Sequence, residues 1–428
     1  MQRFRISAII SHTSKSQECH NVLLMIPHAR RCLSTSSCLF GKAVRRPGKP
    51  RVVQKIAGVD LITYADRMHF VPGLARPVFP EWQREKKDPF YSKGPKYEEM
   101  ELYKDKPCYI FTQNNNIVEG VRQALWLSKS VLTNGIPDQV LSLGEDPANQ
   151  IENQDERVQD IIRNSRIWDT TEFMAPRERF CPNLLHRLLH LCGNLQTQHP
   201  ELAKRMLAEK YDVAATWSRG EDLFQVRGQN GMLLSSATPI PVVAGPEEIR
   251  KTVDQDLETF FPIAPTIDLH CAHVYREKND TGFRDDYPYP HAHTVFLMEP
   301  AGKAGKLRHF REQIGAKMIM FSFANALARA KALYGDEPQV LEKPIVVQSV
   351  CTDGQNFHFM LFQLNTTDLQ TDSGVKNQVW LDFDQMLYGF ARSTPLLKKK
   401  VITIPAGVTG YKPESFKKFL SLYLHGAK

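Results

Sequence analysis

The stretch from Leu307 to Leu364 restricts the fold more than any other, because an almost wholly apolar helix in it runs into an apolar β-hairpin. Ile319, Phe323, Ala326, Leu327, Ala330 and Tyr334 recur at helical spacing, and between Met318 and Ala324 only Ser322 is polar. A helix apolar on nearly every side has to be enclosed. Gly335 can take the left-handed conformation that ends a helix and Pro338 forbids continuation, so the helix stops by Tyr334. Pro344 then opens Ile345-Val346-Val347-Gln348-Ser349-Val350, a β-branched run suited to a pleated strand. Asp353-Gly354 permits a tight turn, and Phe357 to Leu364 returns with large apolar side chains pointing to both faces. A strand apolar on both faces is covered on both faces. The expected fold class is α/β: a mixed sheet covered by helices on both faces, with a helical segment and an extended N-terminal arm.

The remaining chain divides by composition. Residues 1–40 hold Arg3, Arg5, Lys15, Arg30 and Arg31 among many serines, with Glu18 the only acid, which is the composition of a mitochondrial transit peptide. Arg31-Cys32-Leu33-Ser34 offers a processing site at Leu33/Ser34, with a second near Phe40/Gly41, and import into the matrix follows. Residues 41–107 are rich in proline and charge and sustain no apolar period, so they read as an extended arm. Its aromatics, Phe70, Phe79, Trp82, Phe90 and Tyr91, are more simply packed on protein than stacked on bases.

Residues 108–207 read as mainly helical. A strand at Cys108–Thr112 precedes a stripe of Val118, Val121, Leu125, Ser128 and Leu132, and two more stripes run through Val158, Ile161, Ile162 and through Leu185, Leu188, Leu189, Cys192. Residues 208–428 read as the α/β core domain with a basic C-terminal tail. Val213–Ser218 and Leu223–Arg227 are strands about Arg219-Gly220, and Gly228-Gln229-Asn230-Gly231 is expected to turn into Met232-Leu233-Leu234. A helix from Pro246 to Pro262 would place Ile249, Val253, Leu257 and Phe260 on one face. Strands at Val379–Leu381 and Val401–Ile404 and a last helix from Pro413 complete the domain, with Phe416, Phe419, Leu420, Tyr423 and Leu424 facing its core.

The net charge of +8 sits at the ends. Five basic and one acidic side chain lie in residues 1–40, eight and two in 41–76, and eight and one in 391–428, which leaves the body from 77 to 390 acidic. Basic ends on an acidic body suit a polyanion at the ends and protein elsewhere. No run reaches the roughly 18 apolar residues of a membrane span. Once Cys19, Cys32 and Cys38 leave with the presequence, the five remaining cysteines are scattered and form no Cys-x-x-Cys pair, so neither a disulfide framework nor a cysteine zinc site is indicated.

Catalytic patterns fail one by one. His270, His273, His291 and His293 could in principle bind a metal, which makes a matrix metal-dependent hydrolase the alternative function, but their spacing matches no motif. His186 and His190 lie one turn apart, yet Arg187 stands where a zinc hydrolase needs its glutamate. Ala301-Gly302-Lys303-Ala304-Gly305-Lys306 echoes a phosphate loop, but Pro300 replaces its first glycine and Leu307 its hydroxyl. The sequence calls for no enzyme and no cofactor. The better candidates are RNA-contacting side chains, Arg45 and Arg46 in the arm and Lys398, Lys399, Lys400, Lys412, Lys417 and Lys418 in the tail, where point charges suit phosphates.

Several strings carry a family resemblance: Asp66-Arg67-Met68-His69-Phe70-Val71-Pro72, Glu119 to Leu127, Asn279-Asp280-Thr281-Gly282-Phe283, Tyr287-Pro288-Tyr289-Pro290, Phe357-His358-Phe359 with Gln363 to Asp368, and Phe419 to Gly426. From about Val59 onward the chain resembles the family of protein thirty-seven of the large subunit of the animal mitochondrial ribosome. That resemblance implies a structural ribosomal protein contacting large-subunit ribosomal RNA and neighbouring proteins. One implied neighbour is its sister in the programmed-cell-death-protein-nine family, with a shared fold. The family supplies no motif for RNA contact, so the arginines and lysines named above rest on charge.

Overall fold

The computed structural model describes residue 57 and residues 94–427, except 116, 167–176, 299–310, 393–394, 399–401 and 405. The chain divides into two units, residues 1–93 and 94–428, and the described residues other than Ala57 belong to the second. In chain order they form β1 (Tyr103–Phe111), α1 (Val121–Leu127), β2 (Ser130–Asn134), α2 (Asp138–Glu145), α3 (Gln154–Arg166) and α4 (Arg177–Gly193). There follow β3 (Arg205–Arg219), β4 (Asp222–Ser236), α5 (Pro246–Lys251), β5 (His270–Val274), β6 (His291–Met298) and α6 (Arg311–Tyr334). The chain continues through β7 (Val340–Thr352), β8 (Asn356–Thr366), β9 (Asn377–Met386), β10 (Phe390–Arg392), β11 (Leu396–Lys398), β12 (Ile402–Ile404), β13 (Gly407–Thr409) and α7 (Pro413–Leu424).

Nine strands make one mixed sheet in the order β2-β9-β8-β7-β6-β4-β1-β5, with β3 paired to β4. β4 pairs β1 in parallel through Leu223–Val226 and β6 antiparallel through Met232–Ser236, so one strand joins two wings. Near its centre β8 is buried along almost its whole length. Its alternate residues divide between two cores. Met360, Phe362 and Leu364 join α6 and α1, while Phe357, Phe359 and Leu361 join α2, α3, α4 and α7. Each fully buried phenylalanine contributes roughly 1.5–3 kcal/mol. Helices therefore cover both faces, and the fold class expected of the hairpin is the one found.

α6 and the hairpin follow their sequence signals closely. At Tyr334 the helix stops, Gly335 adopts φ +88°, and its amide donates to the Lys331 carbonyl at 2.9 Å. In the hairpin turn the Asp353 carboxylate accepts from the amides of Gln355 and Asn356 at 2.8 and 2.7 Å. α7 runs over Pro413–Leu424 and buries Phe416, Phe419, Leu420, Tyr423 and Leu424 against the sheet, as its pattern requires.

Three elements differ from expectation for a tertiary reason, and a fourth differs in where it starts. The stripe from Val118 to Leu132 is not one helix: α1 ends at Leu127, Lys129 takes φ 48°, and Ser130–Asn134 pairs in parallel with β9. Gly228–Gly231 does not turn but continues β4, and Gly231 is required because a Cβ there would overlap the Phe296 carbonyl oxygen of β6. The helix from Pro246 closes at Lys251, with a 3-10 turn to Asp254. The carbonyls of Thr252 and Val253, which would carry it further, accept instead from the Lys376 ammonium at 2.9 and 3.0 Å. β1 also begins at Tyr103, earlier than the expected strand and inside the stretch read as arm.

Candidate interface and charged sites

The basic tail gives the site its framework. β10 pairs β13, β11 pairs β12, and the chain then enters α7 with Lys412 exposed at its first turn. Lys417 and Lys418 follow within that helix, both half-buried. Lys417 Nζ lies 2.9 Å from Glu414, and Lys418 Nζ lies 2.6 Å from Asp382 on β9. The Glu414 bond raises the Lys417 pKa. Of the expected contact residues, then, Lys412 is exposed, whereas Lys417 and Lys418 already hold carboxylates. Arg45, Arg46, Lys399 and Lys400 lie outside the described residues, as does the side chain of Lys398.

The four histidines of the alternative reading do not meet. His270 on β5 registers with Ile110, which faces Gln225 of β4, while His291 on β6 registers with Ser236 of the same strand. Eleven residues of β-strand at about 3.3 Å each separate those positions, on the order of 30 Å or more. Two of the rings are also occupied. His293 is buried, its Nε2 2.9 Å from the His425 carbonyl and its Nδ1 2.7 Å from the Thr294 hydroxyl. His273 stacks on Tyr103 with centroids 5.8 Å apart. Burial, with Arg329 nearby, pushes the His291 pKa down to about 4; burial, with Arg205 nearby, pushes His293 well below its ordinary value. Among the described residues no group of three or more His, Cys, Asp or Glu side chains could hold a metal ion. The hydrolase reading falls on this geometry.

His186 and His190 likewise form no site: His186 Nε2 lies 2.8 Å from Glu209, and His190 is exposed. The phosphate-loop echo at 301–306 lies outside the described residues.

Four cations that sequence reasoning missed are turned inward. Lys129 donates to the Asp368 carbonyl at 2.9 Å, and Arg219 to the Leu369 carbonyl at 2.9 Å. Arg219 also pairs with Asp372 and sits 4.2 Å over the Trp126 ring. Lys376 donates to the carbonyls of Thr252, Val253 and Gly374. Arg205 donates to the carbonyls of Tyr423 and His425, the C-terminal end of α7 that a cation suits. Burial lowers the pKa of Lys129 and brings Arg205 and Arg219 down to about 10, with Asp372 opposing the shift of Arg219. No sequence signal marks these residues, because a lysine bound to main-chain carbonyls has no partner at a fixed spacing. Their chemistry is mechanical: they pin loops 366–376 and 252–253 and the end of α7 to the sheet.

Taken together, the geometry defines an α/β protein of helices on a mixed sheet, in which His270, His273, His291 and His293 share no common site and four interior cations are bound to backbone. A family model described as "Mitochondrial 28S ribosomal protein S30 (PDCD9)" matches residues 301–394, the span of α6, the hairpin and β9. Over most of its length the chain is similar to large ribosomal subunit protein mL37. It is 54% identical to that of Gallus gallus over 88% of this chain and 87% of the relative. It is 50% identical to that of Rattus norvegicus and 49% to that of Bos taurus, each over 90% of this chain and 92% of the relative. The chain belongs to the mL37 family. The resemblance read from the sequence strings is therefore correct, and the shorter match places the sister family's similarity on the central helix and hairpin.

Proposed function

We propose that this protein is a non-enzymatic structural constituent of the large subunit of the mitochondrial ribosome, working in mitochondrial translation in the matrix. The observation that carries the reading is identity near one half to proteins named as large ribosomal subunit components, sustained over about nine tenths of the chain. The family model's name refers to a 28S protein, but it covers only residues 301–394, so the longer matches decide the subunit. In this role the arm and tail meet ribosomal RNA through Arg45, Arg46, Lys398, Lys399, Lys400, Lys412, Lys417 and Lys418, and the acidic body meets neighbouring proteins, including the sister of the same family. The concentration of positive charge at both ends supports the division. Among the described residues no helix is long and apolar enough to cross a membrane.

Sedimentation of mitochondrial lysate tests the reading: the chain is expected in the large-subunit peak, and its absence there would overturn the proposal. Replacing Lys398, Lys399 and Lys400 by alanine is expected to weaken incorporation and to flatten its dependence on salt. An unchanged salt profile would remove the tail from the RNA contact.

A further inference from the structure

The segment between the 3-10 turn ending at Asp254 and β5 displays apolar side chains on an acidic ground. Phe261 is 91% exposed, and Val253, Ile263 and Ile267 are exposed beside it in sequence. A loop so displayed would ordinarily fold back to cover its phenylalanine, but this one is held open by its own anchors. Phe260, the preceding residue, is buried; it lies edge to face with Trp126 at 6.2 Å and under the Arg122 guanidinium at 4.8 Å. Gln123 Nε2 donates to the carbonyls of Pro265 and Ile267 at 2.7 and 2.8 Å, and Arg122 binds the Thr259 carbonyl and the Glu258 carboxylate. The Ile263 amide donates to the Phe260 carbonyl at 2.6 Å. α1 thus clamps the loop along its length, and Phe261 is presented outward from a fixed backbone. Such preorganisation lowers the ordering cost of binding.

The charge around the knob selects the partner. From Val253 to Leu269 there are four acids, Asp254, Asp256, Glu258 and Asp268, all exposed, and no lysine, arginine or histidine; Arg122 of α1 pairs with Glu258 and leaves the other three. An acidic field repels the phosphate backbone of RNA and attracts a cationic protein. An exposed aromatic on an acidic segment has the anatomy of an interface anchor, where one buried ring carries much of the binding and the rim sets specificity. We propose that the loop 253–269 docks a cationic protein segment of the ribosomal large subunit, with Phe261 seated in an apolar pocket of that partner and Asp254 and Asp256 facing its basic rim. This rests on the ribosomal reading above and adds a surface to it.

The test places a photo-crosslinking phenylalanine analogue at position 261 of the full chain in the assembled particle. The expected product is a crosslink to a protein, insensitive to ribonuclease and mapping to a peptide rich in lysine and arginine. A crosslink to RNA, a crosslink to an acidic peptide, or no crosslink from chain that co-sediments with the particle would each overturn the proposal. Failure of the unsubstituted chain to co-sediment would instead overturn the ribosomal reading, so the two failures are distinct. Two variants separate anchor from rim. Phe261→Ser should lower retention in the particle about tenfold with its salt dependence kept, and its melting temperature should match that of the unsubstituted chain because the ring is outside the core. The double change Asp254→Asn, Asp256→Asn, which leaves the Arg122–Glu258 pair in place, should flatten the salt dependence instead. Retention unaffected by either variant would overturn the proposal.

Discussion

Two populations of cation share this chain and do opposite work. Lys129, Arg205, Arg219 and Lys376 face inward and end on main-chain carbonyls, whereas Lys412 and Lys417 face outward on or beside α7, and Lys418, largely covered and held by Asp382 of β9, stands between the two. An inward cation bonded to carbonyls satisfies acceptors that a loop cannot pair within itself, so its charge is consumed in holding loops to the sheet. An outward cation in water gains little from a neighbouring carboxylate and stays available to a polyanion. Net charge alone hides the distinction. What separates the two is whether the cation ends on buried backbone carbonyls or at a surface where solvent and side chains compete for it.

Acid should break the interior population first and most strongly. His293 and His425 pack beside Arg205, and burial with that neighbouring charge holds the His425 pKa at about 4 against an ordinary 6.5 and that of His293 well below. His291 is similarly held at about 4 beside Arg329. Between those values the unfolded chain binds more protons than the folded protein. Stability is therefore full above about pH 6.5 and declines as pH falls toward 4, on the order of 3 kcal/mol from His425 alone. Urea midpoints measured from pH 7.5 to 4.5 should fall monotonically, and a flat profile would mean that these rings are solvated. Next in size is Lys376→Met. It removes the donor to three carbonyls, and a loss of roughly 2 to 4 kcal/mol is expected in denaturant titration.

The sequence revealed the hairpin and its flanking helices because periodicity and turn chemistry there agree with the packing. Apart from His358 and Gln363, Phe357 to Leu364 is apolar, with large side chains on both faces, and both faces are covered. Legibility failed where distant groups override local preference. α5 reads as a helix to Pro262 until Lys376, more than a hundred residues on, takes the carbonyls it would have used. β2 reads as the end of a helix until β9 offers a parallel partner. The tail lysines were legible as charge, but the carboxylates of Glu414 and Asp382 that hold Lys417 and Lys418 differ in kind: the first lies three residues away on the same helix, the second on another strand. Only the first could be read from spacing. Phe261 was hidden by the same false helix, which spoke only for its neighbour Phe260.

Smaller substitutions sharpen the boundary between the populations. Asp372→Asn removes the one carboxylate that pairs with Arg219, yet the guanidinium keeps the Leu369 carbonyl and the Trp126 face. The Asp372 side chain is 61% exposed, so solvent screens the pair and a loss of only about 1 kcal/mol is expected. Lys417→Ala should do least to the fold. Its partner Glu414 lies one turn away on a helix surface, an arrangement contributing about 0.3–0.5 kcal/mol, and α7 is held by Phe416, Phe419 and Leu420. The melting temperature should stay within a degree or two while retention in the large subunit loses part of its salt sensitivity. A large drop in stability with unchanged retention would place Lys417 among the interior cations and erase the distinction at its outer edge.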